Sequence, residues 1–187
     1  MLKRMLVILA VLGAVFVVVP RIGMAQDTAT EETQPEREIY VALGYGDEVF
    51  EPDIWYASAS EQPSHTQATW RADGIGGLAY LDYIHFDEGV AFSQLDAVFN
   101  DGWFNATLSN YRVWRENTRC DLGSLRLIEF SLQTNNIKYN MRYWLEVVND
   151  TRVLTMFVVF PATDADNLDN YSNLLFPELA SCSGAVG

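Results

Sequence analysis

The sequence predicts an α+β domain, a mostly antiparallel sheet of about six to seven strands with two amphipathic helices. Three observations carry that expectation. Short segments rich in aromatic and β-branched residues recur between Gly, Pro, Asn and Asp turn formers. Two windows break the rhythm, with apolar residues three and four apart, which places them on one helical face. The chain of 187 residues is 49% hydrophobic and has no internal repeat, enough for one folded domain with a single core.

The elements follow in order. Ile54 to Ser60, Thr66 to Ala72 and Leu78 to Phe86 read as consecutive strands, separated by Pro63-Ser64 and by the Gly-rich stretch from Asp73 to Gly77. From Val90 the period changes. Phe92, Leu95, Phe99 and Trp103 form one helical stripe, which Gly102 is expected to end. Four strands follow, Tyr111 to Thr118, Leu125 to Gln133, Ile137 to Val147 and Val153 to Phe160. The third alternates, with Ile137 to Val147 odd positions facing a core and Arg142 and Trp144 facing away. The fourth is apolar on both faces, as a central strand is. Asn135-Asn136 and Asn149-Asp150 favour hairpins, so these four should form a meander. A closing helix starts near Asp164 or Asp166, buries Leu168, Tyr171, Leu174 and Leu175, and ends at Pro177.

Before the domain, residues 1–25 read as a signal peptide. Lys3 and Arg4 precede an apolar run from Met5 to Val19, and Gly23-Met24-Ala25 supplies the small residues of a cleavage site. The run of about 15 residues is shorter than the roughly 20 a membrane-crossing helix needs, although an uncleaved anchor is the alternative. Residues 26–38 are acidic and polar and are expected to be a disordered linker. The domain is then 39–187, exported to the periplasm, the cell surface or the medium, with no membrane span in its mature form.

The chain has 25 acidic and 12 basic residues, a net charge of −13. Losing Lys3, Arg4 and Arg21 with the leader leaves nine bases and a charge of −16. Such a surface repels a phosphate backbone, which excludes nucleic acid as a partner.

Trp55 at the first strand, Thr69-Trp70-Arg71 in the second, the long meander and the terminal helix bearing Asn167-Leu168-Asp169-Asn170-Tyr171 together resemble the PsbP/Mog-like α/β/α family. The resemblance spans roughly residues 50 to 182 and is one of topology and rhythm. It implies an α/β/α sandwich, as in photosystem II extrinsic proteins and many small exported bacterial domains, and it brings no shared catalytic set or metal site. An NTF2-like α+β cone is the alternative fold, though that family usually begins with helices.

Cys120 and Cys182 are the only cysteines, and an even count in an exported chain makes a disulfide the default. It would pin the last helix to the sheet. His65 and His85 are too few for a usual zinc site, and no metal or cofactor is expected. His85 has Asp82, Asp87 and Glu88 nearby, with Asp87 on its own face of the strand and Asp82 on the other. The acids from Asp164 to Asp169 lack the glycine and distal glutamate of a calcium loop and read as helix capping. Gly44-Tyr45-Gly46 reads as a turn, and no Gly-x-Ser-x-Gly nucleophile motif is present. Three glycosylation sequons, at Asn105, Asn149 and Asn170, carry no weight in an Asn-rich chain.

The remaining signal is charge asymmetry. Seven bases, Arg112, Arg115, Arg119, Arg126, Lys138, Arg142 and Arg152, lie from Tyr111 onward, several of them near Trp114 and Trp144. Arg and Trp are enriched at binding hot spots, so Arg112, Trp114, Arg142 and Trp144 are the candidate binding patch. The competing reading places the Trp rings beneath helices, with the Arg side chains over them in ordinary ion pairs. The expected function is a non-enzymatic exported domain that binds an unknown protein, envelope component or small ligand. The alternatives are a hydrolase of unrecognised type using His85 with a carboxylate, and a purely structural envelope module.

Overall fold

A computed structural model describes residues 42–184. The signal peptide and linker expected at 1–38 lie outside the described residues. Residues 42–47 are helical (α1), and the strands are β1 (Tyr56–Gln62), β2 (His65–Ala72), β3 (Gly77–His85), β4 (Val113–Leu122), β5 (Leu125–Thr134), β6 (Ile137–Asn149) and β7 (Arg152–Pro161). They form one antiparallel sheet in the order β1-β2-β3-β7-β6-β5-β4. Between β3 and β4 lie a 3-10 turn (Phe92–Gln94), α2 (Leu95–Val98) and α3 (Asp101–Thr107). After β7 come α4 (Ala165–Leu175) and a second 3-10 turn (Pro177–Leu179).

Strand alternation divides the core between the two faces of the sheet. On one, Trp70, Leu81, Leu127, Trp144, Met156 and Phe160 are buried beneath Ala42 of α1, Leu168 and Tyr171 of α4, and Leu179. On the other, Ile128, Phe130, Tyr143, Val153 and Phe157 are buried beneath Leu95, Phe99, Phe104 and Leu108. The strand β7, apolar on both faces, contributes to both cores, and its eight residues Val153 to Phe160 are all buried. Trp144, expected to face away from the core, is fully buried because β6 is covered on both sides as well.

Two turns show local chemistry setting register. Asn135 and Asn136 adopt φ of 48° and 65°, the left-handed pair of a two-residue hairpin loop, which Asn tolerates better than other side-chain-bearing residues. In β4 the register slips between Glu116 and Thr118, so Asn117 is an extra residue, a bulge. Before it, Trp114 and Glu116 stand opposite Leu132 and Phe130. After it, Cys120 stands opposite Leu127, on the opposite face of the sheet.

The α+β expectation with two amphipathic helices, and with it the alternative of an NTF2-like cone, is corrected to a β-rich fold. Seven strands of 7 to 13 residues dominate, against helices α2, α3 and α4 of 4, 7 and 11 residues. The predicted helix from Val90 to Gly102 is not continuous. Phe99 leaves helical geometry at ψ 62°, and the Asn100 side chain then accepts from the Gly102 and Trp103 backbone N–H groups as a fresh N-cap. Gly102 therefore stands near the start of α3, not at the end of a helix. Leu174 of α4 is exposed, outside the buried stripe. Gly44-Tyr45-Gly46, read as a turn, lies within α1.

Candidate functional site

The Arg and Trp patch does not exist as one surface. Arg142 and Trp144 share the α4 face, where Trp144 stacks on Phe176 at 4.8 Å and donates its Nε1 hydrogen to the Leu179 carbonyl at 2.8 Å. Trp114 is on the opposite face, packed against Phe104 and Phe130 and donating to Asn105 Oδ1 at 3.1 Å. Arg112 is exposed just before β4. The neighbouring cations are engaged by acids. Arg142 is 11% exposed and pairs with Glu129 and Asp169, Arg126 pairs with Asp121 and Asp96, and Arg119 with Asp96 and Glu116. The expectation of a binding patch at Arg112, Trp114, Arg142 and Trp144 is corrected on this geometry, since Trp144 is in the core, Trp114 and Arg142 are half-buried, and the members face opposite sides.

Cys120 and Cys182 form a disulfide, with Cα atoms 5.6 Å apart. It ties β4, an edge strand, to the segment after the second 3-10 turn, on the face that carries α4. The bulge at Asn117 makes this possible by turning Cys120 toward that face.

The histidines sit at separate sites. His85 Nε2 is 3.4 Å from Asp87, an acid exposed to solvent, at the end of β3. Asp82, offered as a partner for His85, points to the other side and takes His65 instead. His65 Nδ1 lies 3.0 Å from Asp82 Oδ2 and 3.1 Å from Oδ1, and Gln67 Nε2 donates to Oδ2 at 3.3 Å. The register explains the meeting. Gln67 stands opposite Asp82 across the β2–β3 ladder and His65 is the diagonal neighbour on the same face. With Asp82 ionised the carboxylate only accepts, and the contact then needs a proton on His65 Nδ1.

This pair stands in an open cleft of about 490 Å³ between β2, β3 and α3. It is lined by His65, Gln67, Tyr80 and Asp82 of the sheet, by Trp103 of α3 and by the buried Tyr143 of β6. Trp103 Nε1 donates to the Tyr143 hydroxyl at 3.2 Å. The rings of Tyr80, Phe157 and Tyr143 stack in a row, with centroids 5.4 and 5.9 Å apart. Asp82 is 4% exposed. Burial pushes its carboxyl above the usual value, against the lowering effect of His65, Gln67 and Tyr80. Burial likewise pushes the Tyr143 hydroxyl up to about 12 and raises Tyr80, which also feels the Asp82 charge, so both hydroxyls stay protonated donors at neutral pH.

Of these side chains the sequence pointed to Asp82 and His65 only separately. The signal that joins them is the β2–β3 hairpin register, which sets position 67 against position 82. Trp103 and Tyr143 read simply as core stripe residues.

No family model matches the chain, and no curated protein matches it. Among solved structures, the chain is similar to LpqN of Mycobacterium tuberculosis, described as involved in cell envelope biogenesis. The two share 14% identity over 66% of this chain and 76% of LpqN at a TM-score of 0.43, a likeness too slight to argue from. No helix among the described residues is long and apolar enough to cross a membrane.

Proposed function

We propose that the protein is an extracytoplasmic, non-catalytic binding domain whose ligand site is the cleft between β2, β3 and α3. The observation that carries this reading is Asp82, a nearly buried carboxylate at the floor of an open, aromatic-walled cleft. Desolvating a carboxylate costs free energy, and a structural role in the sheet would be filled better by an apolar residue there. Its hydrogen bonds hold His65 and Gln67 in fixed orientation at the cleft floor, and such preorganised polar groups among aromatic walls are what small-ligand sites use. The disulfide supports placement outside the cytoplasm, where such bonds persist.

The test is a screen of small polar fragments against the isotopically labelled protein by amide and indole NMR. The expected result is that saturable shifts gather at His65, Gln67 and the Trp103 indole, and are lost in Trp103→Ala. Fragment shifts that gather elsewhere, or that persist unchanged in the variant, would remove the cleft from consideration.

A further inference from the structure

Charge and aromatic surface in the cleft point to one class of ligand. Among the described residues that line it there is no lysine or arginine, and the carboxylate of Asp82 is its one acidic group. The groups that act on that carboxylate are a histidine, an amide and a phenol. None of them is a permanent cation. The surrounding sequence deepens the bias, because residues 42–110, which supply β1 to β3, α2 and α3, contain eleven acidic residues against Arg71 alone. Arg71 is turned to Asp73, 3.5 Å away. Low-dielectric walls around one sign of charge focus the field and raise the local concentration of the opposite sign.

An anion is disfavoured by that charge. A bare metal ion is disfavoured too, since no group of three or more His, Cys, Asp or Glu side chains converges among the described residues, and a single carboxylate falls short of the oxygen set that calcium or magnesium takes. A neutral polyol could use Gln67 and His65, but gains nothing from a desolvated negative charge. The aromatic wall decides between the remaining options. Trp103, with its N–H spent on Tyr143, and Tyr80, both half-buried and backed by the buried rings of Phe157 and Tyr143, offer carbon surface and negative ring potential beside the carboxylate.

We propose that the cleft takes an organic ammonium ion, its charged head against Asp82 and its carbon skeleton against Trp103 and Tyr80, an inference that rests on the reading of the cleft as the ligand site. Asp82 supplies the counter-charge that ring faces alone lack, and the rings replace the water that an alkylated ammonium binds weakly.

The experiment titrates the full chain with choline chloride and, in parallel, with myo-inositol, an uncharged polyol of similar size, following the Trp103 indole and the His65 amide by NMR. Choline is expected to give saturable shifts at both. Asp82→Asn is expected to weaken choline binding by about tenfold or more, the loss of a desolvated charge contact. Trp103→Leu, which leaves the carboxylate in place, is expected to weaken it as well and serves if the Asp82 variant does not fold. Saturation by inositol and not by choline overturns the ammonium inference while the cleft stands as the ligand site. Choline binding of unchanged strength in both variants, or no saturable choline shift at all, also overturns it. The fragment screen reports on the cleft independently of either probe.

Discussion

Asp82 is the residue whose environment conflicts most with its chemistry, and the conflict has a measurable sign. Its carboxyl is held above the ordinary value of 3.8, chiefly by burial. The folded protein thus binds the proton more tightly than the unfolded chain does, so the contribution of Asp82 to stability is greatest when it is protonated. That contribution falls as pH rises from about 3.8 through the folded-state value, and then stays level. Asp82→Asn keeps the shape and removes the titration. The difference in unfolding free energy between wild type and variant, followed by urea denaturation from acid to neutral pH, should therefore shift in favour of the variant across that window. A difference that moves the other way would mean that His65 and Gln67 outweigh burial. Tyr143 lies on the same face with its hydroxyl tied to Trp103, a contact the variant leaves in place.

Among the elements, β4 shows how one residue decides what a strand can do. Asn117 is the extra residue of the bulge, and its side chain donates to Ser131 Oγ at 2.9 Å. Deleting Asn117 would restore simple alternation and leave the pairing on either side as it is, with Thr118 opposite Glu129 and Cys120 opposite Leu127, so that Cys120 keeps its face. The deletion variant is expected to keep the Cys120–Cys182 bond and to show no titratable thiol after unfolding without reductant, whereas replacing both cysteines by alanine is expected to cost about 4 kcal/mol of stability by the chain-entropy estimate for a loop of this length. Loss of the disulfide in that variant would show that the bulge holds the strand in register and is not merely an inserted residue. The same residue explains a limit of sequence reading. The strands themselves were legible because alternation and turn formers mark them, and the disulfide because two cysteines in an exported chain pair by default. The face of β4 was not, since a bulge leaves no periodic trace. Phe92, Leu95, Phe99 and Trp103 keep a helical period even though the helix breaks at Phe99, because both fragments turn their apolar sides to the same face of the sheet. The His65–Asp82 pair was hidden for another reason, as its partners are 17 residues apart and meet only through the hairpin register.

The sheet as a whole has two unlike ends. The β4 edge carries a bulge and charged side chains tied to α2 through Asp96, devices that blunt an edge against unwanted pairing. The β1 edge is exposed along all seven residues and is uncharged from Tyr56 to Ser60. The sequence divides in the same sense, with the acids of residues 42–110 facing one base and four arginines, Arg115, Arg119, Arg126 and Arg142, gathered in β4 to β6. Arg119 of β4 and Arg126 of β5 pair with nearby acids, and residues 42–110, with eleven acids and one base, carry −10 of the −13 of the chain. Self-repulsion of that kind opposes the compact state and is screened by salt, whose Debye length falls from about 30 Å at 0.01 M to about 8 Å at 0.15 M. The exposed ion pairs around Arg119 act in the other direction, but exposed pairs contribute at most about 1 kcal/mol each. Repulsion acts among many uncompensated acids, whereas attraction is confined to a few short pairs that salt screens least. The melting temperature should therefore rise between those two ionic strengths, measured by calorimetry in sodium chloride at neutral pH. A fall would mean that the arginine pairs, and not the acidic half, set the electrostatic balance of the molecule.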